Sequence, residues 1–255
     1  MPDLILRSST GAVTTLTLNR PEKRNALNVE LLEQLVAAVE SAGCDSTQRI
    51  LVLRGAGSVF CSGLDLAEAT EPDRALRSAE SVGHALRAIA TTRLMTIAAV
   101  QGAAIAGGAG LMSACDFAVA TTDAKFGYPE IRRGLVPALI MTFLRRQLRE
   151  RDARELLLLG KLIDARRALE IGLLNRVAPD EAALETEVRT IISSLLQGAP
   201  EALAETKQLL ADLWPSPLAR DFDAAHAFHV AARKSSEAAE GIAAFLEKRA
   251  PNWTK

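Results

Sequence analysis

The residues best suited to chemistry are a glycine cluster and a carboxylate downstream of it. Gly107, Gly108 and Gly110 crowd an uncharged run, residues 94–115, and Glu130 follows Tyr128-Pro129 in a setting otherwise small and apolar. A helix opening at Gly107 would present free backbone N–H groups at its positive end. Such donors beside one acid–base group are ingredients of carbonyl chemistry, in which charge gathers on an oxygen while a proton moves. Plainer readings stand beside both features. Glycines let a helix approach a sheet closely, and Glu130 can be the N-terminal carboxylate of a later helix.

The other reactive types suggest less. GGAG lacks the lysine of a phosphate-cradling loop, and Ser113 takes the last position of G-x-G-x-x-G, which excludes the nucleotide-binding loops. Phe60-Cys61-Ser62-Gly63 is not a nucleophile elbow. Asp65 and Asp116 are ionisable residues in apolar surroundings and either is a candidate acid or base. Asp116, at a helix-to-strand junction, suits the binding of backbone N–H groups equally well. His84, His226 and His229 read as helix-surface residues. The 226/229 pair has no carboxylate at metal-site spacing, so no metal is expected. Cys44, Cys61 and Cys115 lack disulfide or metal spacing and read as reduced thiols. The run Arg145-Arg146, Arg149, Glu150, Arg151 reads as a solvated helical face.

The elements that must position these groups follow from periodicity. Leu4–Arg7 and Val13–Leu18 flank Ser8-Ser9-Thr10-Gly11 as a hairpin. Asn28 caps a helix from Val29 to about Ala42, striped by Leu31, Leu32, Leu35, Val36 and Val39 and ended by Gly43. Ile50–Leu53 and Thr96–Val100 are fully apolar, as in strands covered on both faces, with a helix over Asp73–Ala90 between them. A tight passage through Gly102 leads to the helix at Gly107 and then to a strand at Phe117–Ala120. The alternation predicts right-handed crossovers and a largely parallel sheet. Beyond Pro137 the chain reads as helical throughout, with at most a short strand at Asn175–Val177. Pro200, Pro215 and Pro217 there separate three further helices.

Composition bounds the partners. The 255 residues include 49 % AVILMFWYC and 24 % DEKR with a net charge of -1, a globular balance without the basic excess of a nucleic-acid binder. Only residues 94–115 reach transmembrane length, and their glycines, Gln101 and hydroxyl residues favour a buried core over a membrane span. No signal or transit pattern opens the sequence, so a cytoplasmic protein is expected.

Several long motifs, in order, resemble the crotonase superfamily, the enoyl-CoA hydratase/isomerase group. They are LTLNRPEKRNALN, GAGSVFCSGLDLAE, AAVQGAAIAGGAGLMSACDFAVA, AKFGYPEIRRGLVP, LLLGKLIDARRALEIGLLNRVAP and GIAAFLEKRAPNW. The resemblance implies an α/β spiral of ββα units over residues 1–195, with a helical region over 196–255 that packs on the core and on neighbouring subunits. It also implies a homotrimer, or a hexamer built as a dimer of trimers, and a coenzyme A thioester substrate with no redox cofactor and no metal. On this pattern the oxyanion-hole N–H groups fall on Leu64 and Gly107, and the acid–base residue on Glu130. The loop with Arg24, Asn25 and Ala26 resembles the segment that holds the nucleotide end of CoA. Ser62, Leu64, Asp65 and Leu66 resemble the segment that adjoins the pantetheine path, and Phe245 and Lys248 resemble residues that reach a neighbour's ligand. The Asp73–Ala90 helix and the neighbourhood of Tyr128 and Phe143 are expected to shape the acyl pocket jointly.

The hydratases of the family carry two glutamates, and here the first position is Gly110 while the second is Glu130. One carboxylate suffices to shuttle a proton between two carbons, and this pattern resembles the family's enoyl-CoA isomerases. Some specialised hydratases also work with this glutamate alone, so hydration of a 2-enoyl-CoA stays open beside double-bond isomerisation. A reading of a different class is a non-catalytic crotonase fold that binds RNA or serves as a scaffold. Glu130, Gly107, Lys248 and the balanced charge speak against it.

Overall fold

In the computed structural model, which describes residues 3–70, 72–213 and 217–254, the chain winds through repeated strand–strand–helix units. It opens with a hairpin of β1 (Ile5–Thr10) and β2 (Val13–Leu18), followed by α1 (Val29–Cys44), β3 (Ile50–Gly55) and α2 (Pro72–Thr91). Next come β4 (Met95–Val100), β5 (Ala103–Ile105), α3 (Gly107–Ala114), β6 (Phe117–Thr121) and β7 (Lys125–Gly127). A short 3-10 turn, Pro129–Arg133, precedes α4 (Ala138–Gln147), α5 (Glu150–Leu159), β8 (Ile163–Asp164), α6 (Ala165–Glu170) and β9 (Arg176–Ala178). The chain closes with α7 (Glu181–Leu196), α8 (Pro200–Leu213), α9 (Leu218–Arg233) and α10 (Ser236–Leu246).

The large sheet has the order β1-β2-β3-β4-β6-β9, and only the β1–β2 pair is antiparallel. A small second sheet has the order β5-β7-β8. Three successive turns of the spiral leave the large sheet and touch the small one before the next helical segment. β3 is followed by Cys61, which bridges Ala104 of β5, then by α2; β4 by β5 and α3; β6 by β7 and the Pro129–Arg133 turn. This is the ββα spiral of the crotonase fold.

Alternation along the strands divides the core. Leu51, Leu53, Ala98, Val100, Ala118 and Ala120 face α1, α2 and α3, whereas Ile50, Val52, Met95, Ile97, Ala99 and Val119 face Leu184, Val188 and Ile191 of α7. A parallel sheet covered on both faces is what near-continuous apolar strands require. Asn28 caps α1 through its side-chain oxygen, which accepts from the Leu31 N–H at 3.1 Å. Asp116 binds backbone as its position suggests: Oδ2 accepts from the Thr96 N–H at 2.7 Å and pairs with Lys207 at 2.8 Å.

Several expectations need correction. The small sheet is not among the sequence expectations, and its strand β8 interrupts the region beyond Pro137, whereas β9 is the short strand expected at Asn175–Val177 and joins the large sheet. The basic run from Arg145 crosses the break between α4 and α5 rather than forming one face. Its Arg146 side chain is only 12 % exposed, near Asp221. Pro215 lies outside the described residues; Pro200 opens α8, and Pro217 precedes α9. α9 packs on α4 and α2, and α10 on the Pro129–Arg133 turn, so the C-terminal helices roof this region of the core. Among the described residues no helix is long and apolar enough to cross a membrane.

Candidate active site

Two pieces of backbone meet where the β3–α2 connection passes under the start of α3. Gly63 has φ +95°, and a Cβ there would come within 2.9 Å of the Ile105 carbonyl and 3.6 Å of the Gly107 nitrogen. A side chain is therefore excluded by conformation and by space. Leu27 donates to the Gly63 carbonyl and Asp65 donates to Leu27, which fixes Leu64 between them. The Leu64 nitrogen lies 3.8 Å from the point where a side chain on Gly107 would begin. Among the described residues neither the Leu64 N–H nor the Gly107 N–H donates to the protein. Ala106, just before α3, has φ 50° and ψ -121°, a conformation that costs a non-glycine residue about 1–3 kcal/mol. It is held by its N–H to the Gly127 carbonyl at 2.8 Å, and its own carbonyl accepts from Gly110 at 2.8 Å. This strained corner turns the chain so that Gly107 begins the helix inside the cavity.

Glu130 arrives from the opposite side, in the first turn of Pro129–Arg133. The residue is half-buried, but its Oε2 is enclosed and, among the described residues, has no hydrogen-bond partner. Burial pushes its pKa up to about 7, against smaller downward pulls from its own backbone N–H and from Arg133. Such a group holds comparable amounts of acid and base near neutrality, as a proton shuttle requires. Arg133 lies 4.4 Å over the ring of Phe245, and burial lowers its pKa.

These groups open onto one cavity of about 450 Å³. Arg24, Ala26, Ser62, Leu64, Asp65, Leu66, Gly107, Glu130 and Phe245 all line it; Lys248, beyond α10, does not. The loop carrying Arg24 is stapled by buried Asn25, whose amide donates to the Ala56 and Val59 carbonyls at 2.9 and 2.7 Å. Asp65 is engaged by Arg20 at 3.0 Å, leaving Glu130 as the carboxylate turned free into the cavity. Position 110 offers no second one. A Cβ on Gly110 would meet Ile140 at 3.1 Å and Leu86 at 3.5 Å, so aliphatic side chains fill the space. Cys61 is buried and its pKa is pushed to about 12, which makes it inert.

The expected wall is formed by the neighbourhood of the two aromatic residues rather than by their rings. Val82 and Leu86 of α2 contribute, but Tyr128 is buried beneath α3 with its hydroxyl 2.9 Å from Ser113 Oγ, and Phe143 packs edge-on against Phe222. Leu139 and Ile140 line the cavity instead. His229, read from sequence as a surface residue, also lines it, as does Arg233. The signal for both was the spacing Phe222, His226, His229, Arg233, one stripe of α9 that continues a buried aromatic.

A model of the enoyl-CoA hydratase/isomerase family matches residues 8–255. The chain belongs to this family. A solved enoyl-CoA hydratase of Mycobacterium avium is 38 % identical, with a TM-score of 0.86 over 99 % of this chain and all of that one. Enoyl-CoA hydratase EchA19 of Mycobacterium tuberculosis is 34 % identical over 99 % of this chain and 96 % of its own length. Enoyl-CoA isomerase/hydratase fer4 of Mycosarcoma maydis is 32 % identical over 94 % and 91 %. As a member of this family the protein is an enzyme of the enoyl-CoA hydratase/isomerase type, acting on acyl-CoA substrates.

Proposed function

We propose that the enzyme moves a double bond in an enoyl-CoA, using Glu130 as the only acid–base group and the N–H groups of Leu64 and Gly107 as the oxyanion hole. The observation that carries this is that, among the described residues lining the cavity, Glu130 is the one carboxylate without an ion-pair partner, together with the aliphatic filling beside Gly110. The thioester oxygen accepts from the two N–H groups, with CoA extending past Ser62–Leu66 toward Arg24. Ionised Glu130 removes a proton from one carbon beside the double bond, and the electron pair delocalises onto the thioester oxygen. Two fixed donors and the positive end of α3 stabilise that enolate. Glu130 then returns the proton two carbons away, so no water is consumed and no other base is needed. Phe245 is assigned to the ligand in its own chain's cavity and Lys248 to contacts across a trimer or dimer of trimers, which would also cover exposed Leu158, Leu159 and Leu162.

Addition of water to a 2-enoyl-CoA is the second reading, supported by the names of the relatives. Incubation with matched 2-enoyl- and 3-enoyl-CoAs, followed by mass and NMR, separates the two. Isomerisation leaves mass unchanged and in heavy water returns some original hydrogen to the product. A product heavier by one water from every substrate would overturn the isomerase reading while keeping Glu130 in place.

A further inference from the structure

Along α9 the inward stripe is apolar only at its start. Phe222 is buried against Phe143. His226 then lies over Gly83 of α2, its ring 2.8 Å from where a Cβ on that glycine would be, with Leu139 beside it. One and two turns further on, His229 and Arg233 line the cavity, whose neighbouring wall is Val82, Leu86, Leu139 and Ile140. A helix that seats its stripe on such a wall would ordinarily continue with aliphatic side chains. Here it continues with an imidazole and a guanidinium.

The state of both groups follows from their burial. The His229 Nε2 is enclosed and, among the described residues, has no hydrogen-bond partner. Burial, then Arg233 and His226, push its pKa down to about 3, so the ring is neutral. Burial lowers Arg233 only to about 10, so it remains a cation at neutral pH. A neutral ring that can donate and a guanidinium fork together suit a carboxylate, whereas the adjoining wall suits hydrocarbon. Proton transfer at Glu130 needs neither, since the cation that acts on Glu130 is Arg133.

We propose that His229 and Arg233 bind an anionic group on the acyl chain, so that the preferred substrate is an enoyl-CoA whose chain ends in a carboxylate rather than a methyl group. This rests on the acyl-CoA reading above. A phosphate of CoA could supply the same anion, and the test separates the two sources. Affinities of two 2-enoyl-CoAs of equal carbon number, one ending in a carboxylate and one in a methyl, are measured by calorimetry on Glu130→Gln, where turnover does not interfere. The carboxylate-ended thioester should bind at least about tenfold more tightly, as a charge-assisted pair with a half-buried arginine implies. Adding Arg233→Met should bring the ratio to one or invert it, and Arg233→Lys should restore part of it, with circular dichroism checking the fold. Equal or tighter binding of the methyl-ended thioester before any change at Arg233 overturns the proposal. So does an equal loss for both thioesters in Arg233→Met, which assigns the arginine to a CoA phosphate. Absence of binding by both removes the acyl-CoA reading itself, and the proposal with it.

Discussion

Replacing Glu130 by Gln separates the cost of burying a carboxylate from its use. Burial raises the Glu130 pKa from 4.5 to about 7. At about 1.4 kcal/mol per pKa unit, the ionised form costs the folded protein about 3 kcal/mol. The folded pKa is the higher one, so between pH 4.5 and 7 the native state keeps a proton that the unfolded chain has released. Stability therefore falls as pH rises through that window, and the full cost is present above it. Gln is neutral throughout and keeps the shape. Glu130→Gln should match the wild type near pH 4.5 and exceed it by about 3 kcal/mol at pH 8, roughly 5–10 °C in Tm for a chain of this size. Catalysis should move the opposite way, with kcat reduced by at least about 10³-fold and acyl-CoA affinity within a few-fold. The wild-type rate should show an acid limb with a midpoint near 7. Urea unfolding of both proteins from pH 4.5 to 8.5, with kinetics on the same samples, gives all of these values. A stability difference that does not change with pH would refute the enclosed, desolvated carboxylate, and an unchanged rate would remove Glu130 from the chemistry.

Three further outcomes follow from the same geometry. Leu64→Ala should keep most activity because the donor is backbone, whereas Leu64→Pro deletes that N–H and should cost about 3 kcal/mol in kcat/KM; equal losses in the two would speak against the oxyanion role. Gly110→Glu should not accelerate hydration and should lower stability by about 1–3 kcal/mol, because Ile140 and Leu86 occupy its space; a faster hydratase with unchanged Tm would show that a second carboxylate fits after all. Exposed Leu209, Leu210, Leu213 and Phe228, with the leucines at 158, 159 and 162, leave apolar surface for association, and the proposed trimer or dimer of trimers should give three or six chains in light scattering; a stable 27.2 kDa monomer at micromolar concentration would contradict that assembly.

What the sequence determined by itself was mostly local. The cap at Asn28, the stripe of α1 and the apolar strands at Ile50 and Thr96 follow from periodicity and from backbone groups that need partners. The pairing of Gly107 with Glu130 was legible because glycines opening a helix and an acid beyond a proline each carry a mechanism in their own residue types. Tertiary structure decided everything that depends on segments distant in the chain. β5, β7 and β8 have two or three residues each, too few for an alternation to register, yet β5 and β7 set the corner at Ala106. Whether Leu64 would stand beside Gly107 depended on the clearance at Gly63, which no single stretch contains. The filling beside Gly110 and the turn of His229 and Arg233 into the cavity arise from α2, α4 and α9 closing over the site, and the raised pKa of Glu130 from burial of a turn on which α5 and α10 pack. Burial is a property of the neighbours that fold onto a residue, and those neighbours are chosen by packing, not by adjacent sequence.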